Sequence, residues 1–170
     1  MQDFVDNLKA AYALLLRRKM QDFNRKVAFG DLVSERDEIA QACGFGEGTT
    51  CYDGVLILGD VKVGSHTWIG PNVILDGRAG LTIGDYVSIS AGVQIYTHDT
   101  VEWSTSMGEL PMRTAPTRIG SGVYIGPNTV IRMGVNVGDR AVIGAMSYVD
   151  RDVPEGSRVW GCPARPPHHR

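Results

Sequence analysis

The segment IYTHDT, residues 95–100, sets two groups able to do chemistry, the imidazole of His98 and the carboxylate of Asp99, in a chain otherwise patterned by aliphatic and small side chains. An imidazole can exchange a proton near neutral pH or ligate a metal. A neighbouring carboxylate can orient it or merely cap the start of a loop, and for Asp99 both readings stand. A further candidate, Asp76, precedes a glycine in the run LDGR, where it reads equally as a hydroxyl-binding group or a turn aspartate. The chain has four His, and only His66 and His98 lie in the patterned region. A zinc site built from three histidines is therefore short of ligands, and no metal is expected.

The pattern that must hold these residues is a repeat of six. Ile57, Val63, Ile69, Leu75, Ile83, Ile89, Ile95, Ile119, Ile125, Ile131, Val137, Ile143 and Val149 are separated by twelve intervals, and ten of those are six residues. One is eight, after Leu75, and one is 24, after Ile95. Four positions beyond each aliphatic residue stands a small or β-branched one, except at Asp99. Six residues suit a short strand and a tight turn, and three such units close a triangular coil with the aliphatic side chains stacked inside. Grouping the hexads by threes tests this. One face carries Gly64, Gly84, Gly120 and Gly138, the next Gly70, Ser90, Gly126 and Gly144, and the third Leu58, Asp76, Tyr96, Arg132 and Asp150. An 18-residue superperiod implies a prism, with glycine where a Cβ would clash. The expectation is a parallel β-helix of roughly four to five coils.

Both irregular intervals fall on the third face, in adjacent coils, and together they mark a candidate site. The loop DTVEWSTSMGELPMRTAP, residues 99–116, is long for a structureless connection. Its Trp103, Met107 and Met112 need cover, either a substrate or a neighbouring subunit. Ahead of the prism, residues 3–28 read as an amphipathic helix, with Phe4, Leu8, Tyr12, Leu15, Leu16, Phe23 and Val27 at helical spacing. A short helix follows, with Ser34 as the expected N-cap and Gly44 as its stop. This segment is expected to lie against its own domain or a sister subunit. The division read from the sequence is 1–54 helical, 55–156 prism with an extruded loop 99–118, and 157–170 as a tail.

Composition narrows the function. A net charge of -2 among 170 residues gives no footprint for nucleic acid. No apolar run is long enough for a membrane span, and acids precede the first one, against a signal peptide. Three Cys, with no CxxC pair, fit a reducing compartment, and a cytoplasmic location is expected.

On these residues the chain resembles the hexapeptide-repeat acyltransferases, over roughly 55–165. YTHD stands where that family places a histidine before an extruded loop; TRIGSGVYIGPNTVIRMGVNVGDRAVIGAMSYVDRDVP is similar to its last two coils; GCPAR is similar to its terminal signature. The nearest branches by resemblance are galactoside and maltose acetyltransferases and the O-acetyltransferases of polysaccharide pathways. The resemblance implies an all-β, left-handed parallel β-helix, although physics alone favours a right-handed crossover. It implies acetyl transfer from acetyl-CoA to a sugar or polysaccharide-precursor hydroxyl, in a homotrimer with sites between subunits. By position, His98 would be the general base. Tyr124, Gly126, Pro127, Gly144 and Ala145 would contact the cofactor, with Arg151 and Arg165 facing its phosphates. Tyr96, Asp76, Asp99 and Trp103 would meet the acceptor, although Trp103 reads also as subunit packing. The alternatives are a nucleotide-sugar N-acetyltransferase, a non-catalytic repeat protein, and a γ-carbonic anhydrase-like zinc protein.

Overall fold

A computed structural model describes residues 1–167. His168 and His169, assigned above to the tail, lie outside the described residues.

The hexad repeat folds as a three-sided left-handed β-helix. The first face is a parallel sheet of six rungs: Thr50–Cys51, Trp68–Ile69, Ser88–Ile89, Tyr124–Ile125, Val142–Ile143 and Arg158–Val159. The second face, grouped third in the sequence and bearing both irregular intervals, runs from the start of Leu56–Val63 through the start of Ile74–Ile83 to Gln94–Ile95, Val130–Ile131 and Tyr148–Val149. The third takes the far ends of those two long strands, then Thr117–Ile119 and Asn136–Val137. The register pairs Leu75 with Ile95, and Ile131 with both Ile95 and Val149, so the aliphatic residues stack directly along the axis. Cys51, Ile69, Ile89, Ile125 and Ile143 line one inner wall, and all are buried. Each such side chain contributes roughly 1.5–3 kcal/mol by leaving water.

Six rungs exceed the four to five expected. Thr50–Cys51 pairs with Trp68–Ile69, so the prism begins ahead of residue 55. Arg158–Val159 pairs with Val142–Ile143, inside the segment read as a tail.

The corners explain the small residues. Thr49, Thr67 and Thr129 are buried, and their hydroxyls donate to Gly64, Gly84 and Gly144 carbonyls of the coil beneath at 2.7–3.0 Å. Glycine appears where coils touch: a Cβ on Gly126 would lie 2.5 Å from the Ala145 nitrogen. At the loop, the small position is restored by Thr117, two residues before Ile119, whose hydroxyl donates to the Tyr96 carbonyl at 2.8 Å. The break at Asp99 is therefore a departure of the chain from the prism, and Thr117 is its return.

Helix α1, Gln2–Phe23, ends at Asn24 in the left-handed region; none of its side chains is fully buried, and Val5, Tyr12, Leu15 and Leu16 are half-buried. Phe4, Leu8 and Phe23 stay exposed, while Tyr12 stacks on Phe29. Helices α2, Gly30–Val33, and α3, Arg36–Ala42, follow. Glu35 rather than Ser34 caps α3, because it forms a reciprocal capping box with Glu38. No helix among the described residues is long and apolar enough to cross a membrane.

Candidate active site

His98 sits where the extruded loop leaves the prism. His98–Asp99 pairs antiparallel with Arg113–Thr114, so the loop has a closed neck, and it carries a short helix α4, Val101–Thr105. Asp99 holds that neck. Its carboxylate accepts from Arg113 Nη2 at 2.7 Å and Nε at 3.3 Å, and from the Val101 amide at 3.2 Å. The Arg113 guanidinium holds the Asp99 carboxyl below the usual carboxylate range. Of its two readings, Asp99 takes the cap and does not orient the imidazole.

The orienting acid is Asp76, one rung above. Asp76 Oδ2 lies 2.5 Å from His98 Nδ1 and also accepts the Thr97 amide at 2.9 Å and the Thr97 hydroxyl at 3.3 Å. Its Oδ1 accepts the Arg78 amide at 3.3 Å. The side chain has no solvent-accessible surface. Burial pushes this carboxyl up, but the Thr97 amide, the His98 imidazole and the Arg78 amide together bring it below the usual range. An ionised Asp76 only accepts, so His98 Nδ1 carries the hydrogen and, in the neutral ring, the lone pair lies on Nε2. Asp76 was expected at the acceptor. The structure corrects this: both its oxygens are engaged by Thr97, His98 and the Arg78 amide, and it reaches an acceptor only through the imidazole.

The widened corner that makes this contact possible is the eight-residue interval. The register shifts between Gly59 and Val61, and Gly77 fits because a Cβ there would lie 2.2 Å from the Asp60 carbonyl oxygen. The interval also delivers a residue the sequence reading missed. Arg78 brings Nη1 to 3.4 Å from His98 Nε2. Its signal was the two inserted positions themselves, directly above the histidine.

His98 faces a cleft of about 360 Å³ lined by Tyr96, Arg113, Arg132, Met133 and Tyr148. Tyr96 meets the imidazole edge-on at 6.4 Å between ring centres and donates its hydroxyl to Gln94. Trp103, expected at the acceptor, is not among the residues lining this cleft; it lies on α4 with its ring half exposed. His66 adopts φ +56° at another corner and stacks on Tyr86, a structural role.

The residues assigned to a cofactor form two groups. Tyr124, Gly126, Pro127, Gly144 and Ala145 lie along the first face and the corner after it, where the Met146 amide donates to the Pro127 carbonyl of the coil above. Tyr124 and Ala145 are exposed. Arg151 and Arg165 meet on Asp150: Arg165 binds it through Nη1 at 2.8 Å and Nη2 at 3.3 Å, and Arg151 Nε stands 3.4 Å away. Arg165, first, and then Arg151 bring the Asp150 carboxyl down to about 2. Two guanidiniums share one carboxylate, so positive charge remains for an anion. The second face separates His98 from the corner bearing Pro127 and Ala145, and one chain does not gather all these residues into one pocket.

The chain is a triangular coil of stacked hexads, opened at one corner by a histidine held on a buried aspartate. Comparisons with known proteins agree. Residues 116–151 match the family described as bacterial transferase hexapeptide (six repeats), and residues 60–97 match the hexapeptide repeat of succinyl-transferase. The chain is 41% identical over 106 residues to Nodulation protein L of Rhizobium meliloti, covering 62% of this chain and 58% of that one. It is 33% identical over 108 residues to galactoside O-acetyltransferase of Escherichia coli, covering 62% and 52%. The matched region thus spans just over half the length of these relatives. Among solved structures, a hexapeptide-repeat acetyltransferase of Vibrio cholerae superposes with a TM-score of 0.69 at 28% identity, over 95% of this chain and 92% of that one; it has also been solved with acetyl coenzyme A. The chain carries the hexapeptide repeats of bacterial transferases over residues 60–97 and 116–151 and is similar to hexapeptide-repeat acetyltransferases.

Proposed function

We propose that this chain is an acetyl-CoA-dependent O-acetyltransferase acting on a sugar or polysaccharide-precursor hydroxyl, with His98 as general base. The observation that carries the reading is the Asp76–His98 pair, which ties Nδ1 to a buried carboxylate and leaves Nε2 on the far side of a ring that borders a cleft. In this reading His98 Nε2 takes the proton of the acceptor hydroxyl as its oxygen attacks the thioester carbonyl. Asp76 stabilises the imidazolium that forms. The tetrahedral intermediate collapses with loss of the CoA thiolate, which takes the proton back from His98, leaving an acetyl ester and free CoA. Base catalysis of this kind contributes roughly 10²–10⁴-fold.

The described residues fit the cofactor. Ala145 is exposed at the corner just below Pro127, with no large side chain of its own, and Arg151 with Arg165 offers donors suited to phosphate. His98 and the Pro127–Ala145 corner lie on opposite sides of one face, and this supports a homotrimer in which one subunit's corner completes the site at another's His98. The similarity to a galactoside O-acetyltransferase supports a hydroxyl acceptor, and the V. cholerae acetyl coenzyme A complex supports the donor.

The test is a panel of sugars, amino sugars and nucleotide sugars incubated with acetyl-CoA, with thiol release followed and the product bond identified by mass and alkali lability. An alkali-labile ester on a sugar is the expected product. An amide as the only product would replace O-transfer by N-transfer and remove the need for a base.

A further inference from the structure

We infer that Arg78 makes this site selective for acceptors that carry a carboxylate or phosphate beside the hydroxyl to be acetylated. The inference rests on the proposed role of His98 and adds the class of acceptor.

The argument starts from an obstruction. Arg78 Nη1 stands 3.4 Å from His98 Nε2, the nitrogen whose lone pair must receive the acceptor's proton. A guanidinium only donates, so a cation occupies the place the hydroxyl needs. Arg78 is not fixed there by a strong pair. Its Nε is 3.8 Å from Asp76 Oδ1, beyond hydrogen-bond distance, and its side chain is 47% exposed. Asp76 is already occupied by Thr97, by His98 and by the Arg78 amide. Arg78 is thus a fork-shaped donor in want of a planar acceptor, and carboxylate and phosphate oxygens match that fork in two-point fashion.

The surrounding charges point the same way. Arg132 lies one rung below Tyr96, exposed in the cleft, with no ion pair among the described residues. The acids near the loop neck, Asp99 and Glu102, are both engaged by Arg113, at 2.7 and 3.4 Å, and so repel an incoming anion less. A neutral sugar would have to displace Arg78 from His98 while offering it nothing better. An anionic group on the acceptor draws the guanidinium aside, frees Nε2 and anchors the adjacent hydroxyl against it in one movement. Arg78 is then a specificity-determining residue, present because the eight-residue interval pushes one more side chain into the corner above the histidine.

The experiment measures binding of glucose, glucuronic acid and glucose 1-phosphate to the native protein and to Arg78→Gln and Arg78→Lys, followed by the NMR signal of the His98 ring. The two anions separate carboxylate from phosphate recognition. At least one anion should bind about 10-fold or more tighter than glucose, the size of one charge-assisted hydrogen bond. Arg78→Gln should abolish that advantage, and Arg78→Lys should keep part of it. No advantage for either anion in the native protein, or an equal advantage in Arg78→Gln, overturns the inference. His98→Ala keeps the failures apart. It should retain the anion preference, read by the reporter signal of Tyr96, while losing transfer. Retained transfer in that variant would remove the base reading and leave the anion site standing.

Discussion

Replacing Asp76 with asparagine changes one atom in a buried side chain and removes the charge on which the proposed mechanism depends. In the native protein Asp76 accepts four hydrogen bonds: two from Thr97, one from His98 and one from the Arg78 amide. An amide offers one oxygen and one NH₂. With its oxygen toward His98, three bonds survive in weaker, uncharged form and the NH₂ confronts the Arg78 N–H. With the NH₂ toward His98, the ring must present Nδ1 as acceptor, and the lone pair leaves Nε2. Either way the imidazolium formed during transfer loses its counter-ion. We expect Asp76→Asn to lower kcat by roughly 10²-fold, within the range of general-base catalysis, with little change in KM for acetyl-CoA. One unpaired amide should cost about 1–3 kcal/mol of stability. The sign of the pH dependence follows from the carboxyl being held below its usual range when folded. Its stabilisation is complete above the unfolded value, about 3.9, and is lost as pH falls through the lower folded value. The melting-temperature gap between native and variant should therefore be full at neutral pH and narrow below about pH 4. The assay is thiol release at saturating substrates, with thermal melts at a series of pH values. A kcat within a few-fold of native, with a gap that ignores pH, would mean that Asp76 does not set the state of His98.

Arg165→Ala should raise KM for acetyl-CoA more than it lowers kcat, because phosphate binding far from the thioester acts on ground and transition states alike; an unchanged KM in both Arg165→Ala and Arg151→Ala would refute that placement. The Asp150–Arg165 pair should lend stability above about pH 4 that is lost as pH falls toward the depressed Asp150 value, so acid unfolding of Asp150→Asn should begin no lower than that of the native chain but with a flatter slope below about pH 4. Sedimentation equilibrium should return three times the 18.5 kDa chain mass, and a monomer at micromolar concentration would contradict the shared site.

Much of the scaffold was legible because a six-residue period has few physical solutions. The places where the reading fell short have local causes. Cys51 is in phase with Ile57 and Val63 but is not aliphatic, so the first rung went uncounted. Val159 follows Val149 by ten residues instead of twelve, so the last rung fell out of phase. His98 was marked by the break in the pattern. Its partner was not, since the nearer carboxylate in sequence, Asp99, turns to Arg113, while Asp76 reaches the ring only because the corner above is widened by two residues. Arg78 lay in plain view as part of that widening, yet its approach to Nε2 depends on how neighbouring coils stack. The cofactor residues lie on two corners, and no spacing within one chain reveals how a second copy would bring them together.

The central claim is that His98 is the base, and the most direct measurement is kcat of His98→Ala on the true acceptor, alongside its acetyl-CoA affinity and its mass in solution. The imidazole lies outside the aliphatic stack, so assembly and acetyl-CoA affinity should be native, while kcat falls by roughly 10²-fold or more. A variant that assembles, binds acetyl-CoA and turns over at near-native kcat would show that the proton leaves by another route.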